Sequence, residues 1–210
     1  MAILLLIRHG VTDQTGKRLY GRSDVHLSDA GREQARGVAG RLSGVRVTAL
    51  YSSPLERCLE TAAPIAEATG LKVRTVEDLQ EIDYGTWTGK SFATLRRTKL
   101  WRRVRGGNPS AVRFPEGETL AEAQRRAVAA LEAIAERHPR ATVAVVTHGD
   151  VVLLALAHFA GLHIDQYQRL EAATGSISAV RVTEGPPKVM RMNDTGTLED
   201  LSPPRRARPR

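Results

Sequence analysis

A short apolar run, Ala2–Ile7, leads straight into Arg8-His9-Gly10, and the pattern recurs where Thr142–Thr147 leads into His148-Gly149. A continuous apolar run of strand length predicts a strand buried on both faces, which is how strands of a helix-covered parallel sheet read. Parallel neighbours need long crossovers, and helical patterns alternate with the strand patterns along this chain, predicting an α/β fold with a mainly parallel sheet. The carboxyl ends of such strands are where open α/β sheets keep their ligand crevices. Two histidines at two such ends are therefore expected to meet at one crevice.

The remaining elements are set by capping and turn chemistry. A helix is predicted from about Ser28 to Leu42, with Ser28 or Asp29 as its cap, and a strand over Val45–Tyr51. Ser52-Ser53-Pro54 predicts a helix opening with Pro54 in the first turn and closing at Gly70. Lys72–Val76 reads as a short strand, and Ser91–Arg103 as a short helix followed by a loop. A longer helix spans Leu120 to about His138, opened by the capping box of Thr119 and Glu122. After His148-Gly149 a helix runs to about Ala160, stopped by Gly161. Ile177–Val182 and Lys188–Met192 read as the last strands.

The 210 residues suit one α/β domain, expected over residues 1–196, and 41% apolar with 26% charged residues is ordinary for a globular chain. No apolar stretch approaches the roughly 20 residues of a membrane span. Ala2–Ile7 lacks the flanking features of a signal peptide, and Cys58, with no partner cysteine, suits a reducing compartment, so cytoplasm is the expected location. The formal charge of +8 falls to +4 once Arg205, Arg206, Arg208 and Arg210 of the Pro/Arg-rich segment 197–210 are set aside. That segment is predicted to be a disordered tail. The modest remainder suits an anionic small molecule; neither nucleic acid nor membrane is an expected partner, and a homodimer is left open.

The second strand would deliver Arg57, in the first turn of the following helix, to the edge that holds Arg8, His9 and His148. Two arginines, two histidines and a helix N-terminus around one crevice make a phosphate pocket, because guanidinium binds phosphoryl oxygens bidentately and helix N–H groups favour anions. Metal binding is disfavoured: neither histidine belongs to a His-x-x-x-His or lies at ligand spacing from Cys pairs or carboxylates, and two arginines are poor neighbours for a cation. No Walker-type loop is present. A neutral imidazole is a competent nucleophile, and Glu81, beside Tyr84 and Trp87, is the candidate proton donor, with Asp83 as its local competitor.

Leu6-Ile7-Arg8-His9-Gly10, the run Ser52 to Ala62, the run Leu79 to Gly89 and Val145 to Val151 together resemble the histidine phosphatase superfamily, the phosphoglycerate mutase-like proteins. The resemblance covers residues 2 to about 183, and Asn108–Thr119 with Arg191–Gly196 resemble a subgroup of small bacterial phosphatases. It implies a three-layer sandwich with a mainly parallel sheet between helices. His9 would be the phosphorylated nucleophile and Glu81 the proton donor, while Arg8, Arg57, His148 and the Gly149 backbone would bind phosphoryl oxygens. No cofactor or metal is implied, and the partner would be a small phosphorylated metabolite. One departure stands out: many relatives carry Asn six residues after the nucleophile, where this chain has Thr15, whose hydroxyl still donates. Arg18, Tyr20, Gly21, Arg22 and Ser23 are expected at the pocket mouth, Gly21 among the substrate-binding residues.

Two rival activities stay open. One is phosphoglycerate mutase chemistry, which needs water excluded and is disfavoured by the short segment between Glu81 and Pro115. The other is non-catalytic binding of phosphorylated ligands. Cys58 is expected as a buried small hydrophobe, Trp87 and Trp101 as core or pocket-wall aromatics, and His26, His138, His158 and His163 as surface or packing residues.

Overall fold

A computed structural model describes residues 1–196; the segment expected as a disordered tail, 197–210, lies outside the described residues. The elements are β1 (Ala2–Arg8), α1 (Asp29–Leu42), β2 (Val47–Ser52), α2 (Glu56–Thr69), β3 (Val73–Thr75), α3 (Phe92–Leu95), α4 (Lys99–Arg105), α5 (Leu120–Arg137), β4 (Thr142–Thr147), α6 (Gly149–Phe159), β5 (Ile177–Val182) and β6 (Lys188–Asp194). Short 3₁₀ turns stand at Glu77–Leu79, Gly85–Trp87, Pro109–Ala111 and Ile164–Arg169.

The six strands form one sheet in the order β3-β2-β4-β1-β5-β6. The first four in that order are parallel neighbours, so the sheet is mainly parallel as expected, while β5 and β6 at one edge run antiparallel and make it a mixed sheet. The reason is the return path of the chain. After α6 it passes through the turn Ile164–Arg169 back to the carboxyl end of β1, where the Gly175 N–H donates to Arg8 O at 3.0 Å. Strand β5 thus begins where β1 ends and runs against it. The link from β5 to β6 is of hairpin length, which reverses the chain once more.

Side chains alternate across β1 in the way a two-sided burial demands. Leu4 and Leu6 face α5 and α6, where they meet Leu131, Ile134, Ala155 and Phe159. Leu5 and Ile7 face α1 and α2, meeting Val38, Leu42, Cys58 and Ile65. This gives the three layers. Each fully buried Leu or Ile contributes about 1.5–3 kcal/mol relative to an exposed one. A third apolar cluster, Tyr84, Trp87, Val104, Phe114, Leu154 and Tyr167 among its members, roofs one end of the sheet.

Capping accounts for most helix ends. Ser28 accepts from the Gly31 N–H at the start of α1, and Thr119 with Glu122 completes the capping box of α5. Helix α2 starts at Glu56, not at Pro54; Leu55 is its cap and supplies no side-chain acceptor. Pro54 instead sets the extended approach to the helix. Gly70 closes α2 in the left-handed conformation at φ 69°. The helix expected over Ser91–Arg103 is split into α3 and α4, because the Thr98 hydroxyl caps the Trp101 N–H and starts a new helix in the middle of the run.

Candidate active site

The register of the sheet brings the two histidines together. Arg8 on β1 pairs directly with Thr147 on β4, and the His9 N–H donates to the Thr147 carbonyl at 3.0 Å. The next residue on each strand is then histidine, and the two rings meet edge to face with centroids 5.3 Å apart. Just beyond, the chain turns tightly over α1. A Cβ on Gly10 would lie 2.4 Å from the Gly31 carbonyl oxygen, so only glycine fits that crossing.

His9 is 6% exposed and edges a cavity of about 180 Å³. Its Nδ1 lies 2.7 Å from the Gly10 carbonyl oxygen. A carbonyl only accepts, so Nδ1 carries the proton and Nε2 keeps its lone pair. Burial, with Arg57 and Arg8 beside it, drives the imidazole pKa down to about 3. His9 is therefore a neutral base throughout the physiological range.

His148 sits differently. Its ring is fully buried, behind His9, and is not part of the cavity lining. Its Nε2 lies 2.8 Å from the Ser53 hydroxyl and 3.5 Å from the Cys58 sulfur. Burial and the neighbouring Arg57 hold its pKa well below the ordinary value. Cys58 is the buried hydrophobe expected from the sequence, with desolvation pushing its thiol up to about 12.

The arginines are braced by backbone carbonyls. Arg57, 3% exposed, donates Nη1 to Ser23 O at 2.9 Å and Nη2 to Gly21 O at 2.7 Å. Arg8 donates Nη1 to Ala172 O at 2.6 Å, while its buried Nε has no protein partner among the described residues. A Cβ on Gly149 would come within 3.0 Å of the Arg8 guanidinium, which explains glycine at the start of α6. Gly21, at φ 53°, lines the cavity and also supplies the carbonyl that aims Arg57.

Glu81 lines the same cavity, half-buried, with Oε1 accepting from the Ile82 N–H at 3.0 Å. Desolvation first, then the Asp150 carboxylate, raise its pKa to about 7, against the opposing pull of Arg57 and Arg8. Asp83 does not line the cavity: its Oδ1 accepts from the Gly85 N–H at 2.9 Å in a local turn. Arg126 secures the Glu81 segment by donating to the carbonyls of Asp78, Gln80 and Glu81 and pairing with Glu118 at 2.6 Å.

Thr15 lines the cavity, and its hydroxyl accepts from the Thr12 N–H and lies 3.0 Å from the Thr12 hydroxyl. Arg18 and Tyr20 reach the lining as expected; Arg22 and Ser23 do not, Arg22 pairing with Glu118 at 3.4 Å. Sequence reasoning missed Thr12, Phe92 and Leu153 as wall residues and the place of Asp150, which accepts a 2.5 Å hydrogen bond from the Tyr84 hydroxyl. Tyr84 packs on Phe114, and Trp87 and Trp101 stay in the roof cluster away from the lining. Only the position of Asp150, two residues after His148, could have signalled its presence. Among the described residues, ligand atoms in metal-holding proximity occur at His26, Glu56 and Glu60, outside this lining.

A pocket lined by Arg8, Arg57 and Arg18, an unprotonated imidazole nitrogen and a carboxyl group poised near neutrality suits phosphoryl transfer through histidine. The chain belongs to the histidine phosphatase superfamily (branch 1), whose model matches residues 4–195. It is 30% identical over 207 residues, 96% of each chain, to phosphoserine phosphatase 1 of Hydrogenobacter thermophilus. It is 34% identical to the probable phosphoglycerate mutase GpmB of Yersinia enterocolitica, covering 89% of this chain and 87% of that one. Its fold matches a mutant phosphoserine phosphatase from Entamoeba histolytica in complex with phosphoserine, with a TM-score of 0.84, 27% identity, and 93% and 98% of the two chains covered. Among the described residues, no helix is long and apolar enough to cross a membrane.

Proposed function

We propose that the chain hydrolyses small phosphorylated metabolites through a phosphohistidine on His9. The observation that carries this reading is the fixed tautomer of His9, whose Nδ1 is tied to Gly10 O so that Nε2 carries the lone pair in a pocket walled by Arg8, Arg57 and Glu81. In the first step Nε2 attacks phosphorus, the ester P–O bond breaks, and Glu81 gives its proton to the departing oxygen. In the second, water attacks, the P–N bond breaks, and the Glu81 carboxylate takes the proton. Arg8 and Arg57 neutralise charge on the phosphoryl oxygens with little reorganisation, because Ala172, Ser23 and Gly21 already hold them. His148 backs the His9 ring and the N–H groups of α6 face the same anion, with Thr15 and Thr12 at the pocket wall. The test is phosphate release from p-nitrophenyl phosphate with chelator present, by wild type and by His9→Ala. Activity that survives chelation and is lost in the variant supports the reading; activity retained by His9→Ala contradicts it.

The relative named as a probable mutase supplies a second reading, in which the phosphoryl group returns to the organic product instead of passing to water. The products separate the two: free phosphate for a phosphatase, an isomeric ester for a mutase.

A further inference from the structure

Glu81 is carried by a stretch with no regular structure of its own, between the 3₁₀ turns Glu77–Leu79 and Gly85–Trp87. Such a stretch takes its shape from whatever its backbone groups bond to. Here many of those partners are side chains from distant elements. The carbonyls of Asp78, Gln80 and Glu81 accept from the Arg126 guanidinium at 2.7, 2.7 and 3.1 Å. The Leu79 carbonyl between them accepts from the Thr147 hydroxyl at 2.7 Å. Four consecutive carbonyls are thus met by two side chains. On the other side of Glu81, the Asp83 N–H donates to Glu118 Oε1 at 2.8 Å, and the Asp83 carbonyl accepts from the Glu118 N–H at 3.0 Å.

Arg126 and Glu118 form one unit. Nε and Nη2 of the guanidinium donate to Glu118 Oε2 and Oε1 at 3.0 and 2.6 Å, a bidentate pair whose side chains are 15% and 13% exposed. With the three carbonyls, all five N–H groups of Arg126 are engaged, so none is left for a ligand. Neither residue lines the cavity at His9. Arg22 adds a weaker strap from the opposite side, donating Nε to the Glu81 carbonyl at 3.3 Å and Nη2 to Glu118 Oε1 at 3.4 Å. Its neighbours Gly21 and Ser23 supply the carbonyls that hold Arg57. The pair therefore meets the segment that aims a phosphate-binding arginine as well as the one that carries the acid.

We propose that the Arg126–Glu118 ion pair is the positioning element of the proton donor: it fixes the backbone on both sides of Glu81, so that the carboxyl group meets the departing oxygen. The proposal rests on the phosphatase reading and adds to it two residues that touch neither the phosphoryl group nor the leaving group. A reacting group displaced by about 1 Å loses on the order of 10²-fold in rate. For a displaced acid, that loss falls on esters whose leaving oxygen needs a proton.

The experiment measures kcat/KM, which reports events up to the phosphohistidine, for glycerol 2-phosphate and p-nitrophenyl phosphate. The alkoxide of the first needs the Glu81 proton; the nitrophenolate of the second leaves with little help. Arg126→Lys keeps the positive charge but offers three N–H groups where five are used. Glu118→Gln keeps the shape and turns one acceptor of the bidentate pair into a donor. Both variants lower kcat/KM for glycerol 2-phosphate by about 30-fold and for p-nitrophenyl phosphate by less than about threefold, the second ester also serving as the measure that each variant is folded. In a Glu81→Gln background, where the proton is already lost, the same substitutions cost less than about threefold on glycerol 2-phosphate. Equal losses on the two esters, a full loss repeated in the Glu81→Gln background, or no loss in either variant overturns the proposal and leaves the phosphatase reading intact. Absence of His9-dependent hydrolysis of both esters removes the phosphatase reading and the proposal with it.

Discussion

His9 and His148 stand at the ends of neighbouring parallel strands, each before a glycine, and their environments diverge within one residue. After Gly10 the chain leaves in a loop that crosses α1, so one edge of the His9 ring faces open space. After His148 the chain enters α6 at once, with His148 itself as the helix cap, and the ring is sealed against Ser53 and Cys58. Sheet register brings the two side chains together; the segment after each strand decides which one can react. In the proposed reaction, two identical dipeptides thus become an accessible nucleophile and a buried support.

That asymmetry can be broken by substitution, and the expected losses fall in order. His9→Ala removes the attacking atom and lowers kcat by about 10⁴-fold or more, measured by single-turnover phosphate release. His148→Ala leaves a nucleophile in place but removes its support, costing about 10²–10³-fold in kcat on the scale of a lost electrostatic contact. Equal losses in the two variants would erase the distinction between them. Glu81→Gln lowers kcat by about 10²-fold for alkyl esters and less for p-nitrophenyl phosphate, whose leaving group needs little protonation.

The pH profile sharpens the same contrast. Glu81 is raised to about 7 and must be protonated for the first step, so activity on alkyl esters declines as pH rises through about 7. His9, lowered to about 3, is already unprotonated across that range and imposes no acidic limit above it. Asp150→Asn removes a negative charge that raises the Glu81 pKa, which moves the alkaline limb to lower pH. A limb unmoved by that change would detach Asp150 from the proton donor. The smallest effect is expected for Gly149→Ala, whose Cβ displaces the Arg8 guanidinium by a few tenths of an ångström: about tenfold in kcat/KM.

The strands, the two long capped helices and the meeting of Arg8, His9, Arg57 and His148 were legible because they rest on short-range rules: apolar runs, caps and residues just past a strand end. The antiparallel course of β5 and β6 was not, since it depends on how the chain returns across the sheet and on no local pattern. The start of α2 was misplaced because proline in a first turn and proline before a cap look alike in sequence. Phe92 and Leu153 gave no sign of being pocket walls, because each is ordinary in its own segment and joins the lining only through the tertiary fold, and for Asp150 the one signal was its place two residues after His148. Asp83 and Glu81 could be told apart only by the turn that ties Asp83 to Gly85.

The most direct test is to quench the enzyme in alkali during turnover and locate the phosphoryl group by peptide mass spectrometry. If the reaction runs through His9, an acid-labile, alkali-stable phosphate sits on the peptide bearing His9 and is absent from the one bearing His148. Phosphate found on His148, or turnover with no phosphorylated histidine under conditions that trap the intermediate, would contradict it.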